Sequence, residues 1–118
     1  MTTVGLWEWV KIRRLKKGKP WKRFRAKFDT GASTSRIGKK KAAMLGLGPS
    51  IERRRIKTGN GRIFREVVRA KVQLAGHQVT TEFTVSKSRS GVNIGRNTMG
   101  TGFQVRPSQR YLIEPEST

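Results

Sequence analysis

The run Phe24-Arg25-Ala26-Lys27-Phe28 sets an apolar or small side chain at every second position and a basic one between. This is the period-two pattern of a strand with one face buried and the other in water. The run ends in Asp29, the only aspartate in a chain with 27 lysines and arginines. Thr30-Gly31-Ala32-Ser33-Thr34-Ser35 follows, and its glycine and short hydroxyls suit a tight loop tied to its own backbone. Such a loop holds a carboxylate in one orientation. The residues alone allow two readings of Asp29, an Asx-type turn that closes a strand or a carboxylate held for chemistry.

The same alternation recurs along the chain and predicts an all-β fold. Leu6-Trp7-Glu8-Trp9-Val10-Lys11-Ile12 reads as a strand with Trp7, Trp9 and Lys11 on one side and Leu6, Val10 and Ile12 on the other. Paired tryptophans imply core or interface packing, with stacking on bases the alternative in a basic protein. Strands are also expected at 21–28, 51–56, 62–74 and 78–85, with closing strands at 102–105 and 110–113. Thr58-Gly59-Asn60-Gly61 is a hairpin turn, because Asn and Gly accept positive φ. A short helix is expected within 37–47, stopped by Gly46, Gly48 and Pro49, and a helical turn at 96–100. Residues 1–118 read as one domain, with 1–4 and 114–118 as flexible tails.

The segment Ala26-Lys27-Phe28-Asp29-Thr30-Gly31-Ala32-Ser33-Thr34-Ser35 resembles the active-site loop of retropepsin-like aspartic proteases. Gly5-Leu6-Trp7-Glu8-Trp9-Val10 and Ile94-Gly95-Arg96-Asn97-Thr98-Met99 add to the likeness in the same order. Together they are most similar to the small prokaryotic proteins of this fold often labelled "ATP-dependent zinc protease", over residues 5–112. The resemblance implies a single small closed barrel with one or two short helices. It implies Asp29, Thr30 and Gly31 as catalytic, with Thr34, Ile94, Gly95 and Arg96 supporting the loop. Gly95 would let two chain segments pass closely beneath it. The turn Thr58, Gly59, Asn60 and Gly61 would be the flap over substrate. Two departures stand out: Arg36 and Ile37 replace the usual residues after Thr-Ser, and Asn93 stands where an aliphatic residue is expected, which removes one packing contact.

Aspartic proteases cleave peptides with two carboxylates that share one proton, one drawing a proton from the attacking water and the other donating toward the carbonyl oxygen. This chain has no second aspartate. A two-fold axis can bring one Asp29 from each of two chains together, so the expected enzyme is a homodimeric endopeptidase acting on peptide or protein. No cofactor and no metal site is expected, since a metal would have to use Asp29, glutamates and His77, the only histidine, without any thiolate.

The charge asks for a second partner. A formal net charge of +20 draws polyanions to the surface. Within the seventeen residues 11–27 stand Lys11, Arg13, Arg14, Lys16, Lys17, Lys19, Lys22, Arg23, Arg25 and Lys27, with no acid among them. Lys39, Lys40, Lys41 and Arg53, Arg54, Arg55 add two clusters. The nucleic-acid-binding candidates are Arg13, Arg14, Lys16, Lys17, Lys22, Arg23 and those two clusters. RNA is favoured over DNA, and the alternative function is a non-catalytic component of a nucleoprotein particle, for example a ribosome-associated one. The absence of cysteine and of a long apolar stretch predicts a cytoplasmic protein with no membrane partner.

Overall fold

In the computed structural model, residues 1–16 and 18–113 are described. The elements run β1 (Thr2–Gly5), β2 (Trp7–Arg13), β3 (Lys22–Phe28), β4 (Ser35–Gly38), α1 (Lys39–Leu45), β5 (Glu52–Thr58), β6 (Gly61–Leu74), β7 (His77–Ser86), β8 (Val92–Ile94), α2 (Arg96–Met99) and β9 (Phe103–Arg106). Strands β2, β3, β8, β4, β7 and β6 pair in that order, and β6 returns to β2 to close a six-stranded barrel. No helix among the described residues is long and apolar enough to cross a membrane.

The alternation read from the sequence is what fills the barrel. Phe24, Ala26 and Phe28 of β3 point inward with Val10 and Ile12 of β2, and meet Ile37, Val68, Ala70, Val72, Phe83, Val92 and Ile94. The outer positions of the same strands carry lysine and arginine, so one chain pattern supplies an apolar interior and a cationic exterior. Strand β6 is longer than the barrel needs. Its second half, from Val67, lies in the wall, while its first half pairs with β5 as a hairpin with no fully buried residue. That hairpin turns at Gly59 and Asn60, and Gly61 has a φ of 112°.

Several expectations are corrected. The expected N-terminal tail is ordered as β1, which runs parallel to β9 from Thr2 opposite Phe103 to Gly5 opposite Arg106. A strand, β4, precedes the helix predicted from residue 37, and α1 ends with Gly46 in the left-handed region at φ 67°. The closing strand predicted at 110–113 does not form. The backbone N–H groups of Leu112 and Ile113 instead donate to the Glu8 carboxylate, which also accepts from Gly5 N–H at 2.7 Å. Glu8 takes an inward position of β2 with no exposure, and ties β1, β2 and the C-terminal segment together through charge-assisted bonds. Trp7 and Trp9 lie on the opposite, outer face of β2 rather than in the core. The tail expected at 114–118 and Lys17 lie outside the described residues.

Candidate active site

Asp29 sits where β3 ends, half-buried, with its N–H donating to Ile94 O at 2.9 Å. Its Oδ1 accepts from Gly31 N–H at 2.9 Å, and its backbone oxygen accepts from Ala32 N–H at 3.2 Å. The loop is therefore an Asx-type turn, and that turn is what orients the carboxylate: the two readings of Asp29 describe one geometry. The second carboxylate oxygen faces Asn93 Nδ2 at 3.4 Å.

Beneath the loop, Gly95 passes so close that a Cβ there would stand 2.7 Å from the Thr34 carbonyl carbon and 2.9 Å from Ala32 O. Only glycine permits this approach. Arg96 N–H donates to Ala32 O at 2.8 Å, Arg96 Nη1 to Thr30 O at 2.8 Å, and Asn97 N–H to Ser33 O at 3.2 Å. Ile94 and Arg96 thus grip the loop by hydrogen bonds, and Gly95 by contact. The side chain that knits it is Ser35, which sequence reasoning passed over in favour of Thr34. Fully buried Ser35 Oγ bonds Asn97 Oδ1 at 3.0 Å, pairs with Thr98 Oγ1, and accepts Gly95 N–H at 2.9 Å. The chain Ser35–Thr98–Thr81 carries the network into β7. The pattern of small hydroxyls on adjoining strands was the only signal for it in the sequence. Thr30 is exposed, and Thr34 lines the cleft above.

That cleft, of about 320 Å³, is bounded by Asp29, Gly31, Ala32, Ser33, Thr34 and Arg36 below and by Ile56, Lys57 and Arg65 of the β5–β6 hairpin, with Thr84 and Asn93 behind. The stem of the β5–β6 hairpin thus shares this cleft with the aspartate, while the tip residues Thr58, Gly59, Asn60 and Gly61 are not among those that line it. Thr58 Oγ1 donates to Gly61 O at 2.9 Å and closes the turn. Arg36, Lys57 and Arg65 line the cleft with this one carboxylate. Burial pushes the Arg36 guanidinium below the usual arginine range, Arg89 and Arg65 add to the push, and Asp29 partly offsets it. Arg36 Nε is buried with no hydrogen-bond partner among the described residues. Asn93, expected to weaken the loop by replacing an aliphatic residue, places an amide donor in the site instead. His77, the only histidine, lies away from the Asp29 cleft, paired with Thr2 Oγ1 at 3.0 Å and edge-on to Phe103.

The basic residues separate into differing environments. Arg54 is held by Glu52 and Glu82, which raise its pKa, the hydrogen bond to Glu52 most. Arg53 stacks on Phe64 and lies 3.6 Å from Glu66, and Arg55 is exposed. Lys41 donates to Ser90 O, while Lys39 and Lys40 are exposed on α1. Arg13 stacks on Trp21 and reaches Arg14 O and Lys16 O. Arg14 packs near Gly46. Lys22 and Arg23 are exposed on β3, with Arg23 over the Trp9 ring at 4.3 Å.

The profile of the family described as aspartyl protease matches residues 14–100. Among curated protein sequences none matches the chain. Solved structures give the fold. A protein of unknown function from Legionella pneumophila is 17% identical with a TM-score of 0.62, covering 96% of this chain and 98% of that one. The EIAV protease complexed with the inhibitor HBY-793 is 19% identical with a TM-score of 0.61, over 75% and 78% of the two chains. The retroviral protease-like domain of Ddi1 from Leishmania major is 21% identical with a TM-score of 0.53, over 82% and 74%.

Proposed function

Because this chain belongs to the aspartyl protease family and has a retropepsin-like fold, we propose that it is an aspartic endopeptidase whose active site is assembled from two copies, one Asp29 from each. The observation that carries this reading is the Asp29 carboxylate itself. It is held on one oxygen by Gly31 N–H, faced on the other by Asn93, and set in a cleft that the β5–β6 hairpin also lines.

One carboxylate cannot act as both base and acid toward a peptide. Two of them about 3 Å apart across a two-fold axis share one proton, because like charges at that distance do not both ionise. The ionised member takes the proton of a water as it attacks the scissile carbonyl, and the protonated member donates toward the carbonyl oxygen. Asn93 and Gly31 fix the carboxylates before substrate arrives, so little reorganisation remains for the reaction. The turn Thr58–Gly61 acts as the flap, lowering Ile56 and Lys57 over bound peptide and excluding water. Within the family, Gly5-Leu6-Trp7-Glu8-Trp9-Val10 supports kinship with the small prokaryotic group.

The test compares the wild-type chain with Asp29→Asn for cleavage of a peptide library between about pH 4 and 7. Cleavage is expected only with aspartate at position 29, and cleavage that survives the substitution sinks the proposal.

A further inference from the structure

Strands β6 and β7 pair from Leu74 opposite His77 to Val67 opposite Thr84 and then part. Strand β7 continues beside β4, with Val85 opposite Ile37 and Ser86 opposite Gly38. Residues 61–66 of β6 continue beside β5 alone. A strand turns alternate N–H and C=O groups to each of its sides. On the side away from β5, this stretch therefore presents a backbone edge that no strand covers among the described residues. Such an edge is a template for a further strand.

The fork between the two strands holds a hollow of about 450 Å³, with Ile63, Phe64 and Val85 on its apolar part. Ile63 is 43% exposed and Phe64 59%, whereas every other phenylalanine, tryptophan and tyrosine is buried or half-buried. The one fully open aromatic ring of the molecule thus stands beside its open strand edge. Lys39, Arg53, Arg65 and Lys87 border the hollow against a single acid, Glu66, which lies 3.6 Å from Arg53. Arg65 is the one described residue that lines both this hollow and the Asp29 cleft, so a chain leaving the cleft past Arg65 enters the fork. An extended polypeptide meets the N–H and C=O groups of the edge with its own. A nucleic-acid strand offers acceptors to the N–H groups but no donors at strand spacing for the C=O groups.

We propose that the fork docks an extended acidic segment of the substrate protein, which adds as a strand to the free edge of β6. A large apolar side chain of that segment packs on Ile63 and Phe64, and its carboxylates meet Lys39 and Lys87. The proposal rests on the protease reading, and the docked segment lies beyond the residues that occupy the Asp29 cleft. The contact is the same before and during the reaction, so it lowers KM and leaves kcat alone.

Binding is measured by anisotropy on the full Asp29→Asn chain, with fluorescein-labelled Glu-Ile-Glu-Phe-Glu-Val and its counterpart Lys-Ile-Lys-Phe-Lys-Val. The acidic peptide should bind and the lysine peptide should not. Phe64→Ala should weaken binding by about tenfold, and Phe64→Leu should restore most of it. Lys87→Gln should weaken it more than Lys22→Gln, which removes the same charge from the exposed start of β3. Of two acidic peptides N-methylated at alternate residues in opposite phase, at least one should lose binding, since an added strand depends on its N–H groups. With the wild-type chain, joining the acidic segment to a cleaved peptide should lower KM, and Phe64→Ala should cancel that gain without changing cleavage of the short peptide. Equal binding of the acidic and lysine peptides, indifference to Phe64→Ala, or full binding of both N-methylated forms would overturn the docking site. Single-stranded RNA that displaces the peptide and itself loses affinity with Phe64→Ala would assign the fork to nucleic acid and overturn it too. Cleavage that survives Asp29→Asn would overturn the catalytic reading and leave the binding results standing.

Discussion

Asn93 Nδ2 lies 3.4 Å from Asp29 Oδ2, across the parallel pairing of β3 with β8. A buried amide thus faces the carboxylate oxygen that Gly31 does not hold. Replacing it by alanine removes the donor and leaves Asp29 oriented on one oxygen only. A hydrogen bond to a charged group contributes about 1.5–3 kcal/mol, so Asn93→Ala should lower kcat by about tenfold or more with little change in KM. Steady-state kinetics on one peptide check this. An Asn93→Ile variant with unchanged kcat would reduce the amide to packing.

Glu8 is expected to matter for folding rather than for cleavage. It is fully buried and accepts from Gly5, Leu112 and Ile113 N–H. Glu8→Ala strands those donors, each worth about 1–3 kcal/mol when buried and unpaired. The urea midpoint should fall by an amount equivalent to about 3 kcal/mol or more, while Glu8→Gln, which keeps one acceptor oxygen, should lose less.

The close approach at Gly95 makes a second stability prediction. A methyl group there meets the Thr34 carbonyl carbon at 2.7 Å, and backbone must move. Gly95→Ala should cost at least about 2 kcal/mol, a fall in Tm of roughly 8 °C. Ser35→Ala removes the hub of the same network and should cost about 1–3 kcal/mol. Differential scanning calorimetry measures both.

Charge in the cleft should choose the substrate. Arg36, Arg65 and Lys57 line it with Asp29, so peptides with aspartate or glutamate near the scissile bond should be cleaved preferentially. Arg65→Gln should cut that preference by about tenfold, equivalent to 1.4 kcal/mol of lost attraction, without lowering kcat/KM for neutral peptides. Cleavage with no preference for acidic peptides would contradict this reading of the cleft and leave the role of Asp29 standing.

The β class, the strand leading into Asp29 and the hairpin at Asn60 were legible in the sequence, because each depends on local periodicity or on glycine chemistry, while the close passage at Gly95 was implied by the family resemblance. The roles of Glu8, Ser35 and Asn93 were not, since each is set by residues 60 or more positions away in the chain: Leu112 for Glu8, Asn97 for Ser35, Asp29 for Asn93. Strand β1 looked like a loose end because its partner, β9, lies about a hundred residues on. The tryptophans of β2 were drawn toward the core by their size. Alternation places them outside, and it was the better guide, since Val10 and Ile12 already fill the inner face.

The central claim is that one active site needs two chains. It is tested most directly by mixing wild-type protein with Asp29→Asn protein under conditions that exchange subunits, and measuring peptide cleavage per wild-type chain. If the dyad takes one Asp29 from each chain, activity per wild-type chain falls in proportion to the wild-type fraction, to half in an equal mixture. Activity per wild-type chain that stays constant at every ratio would show that a single chain cleaves by itself and would contradict the account.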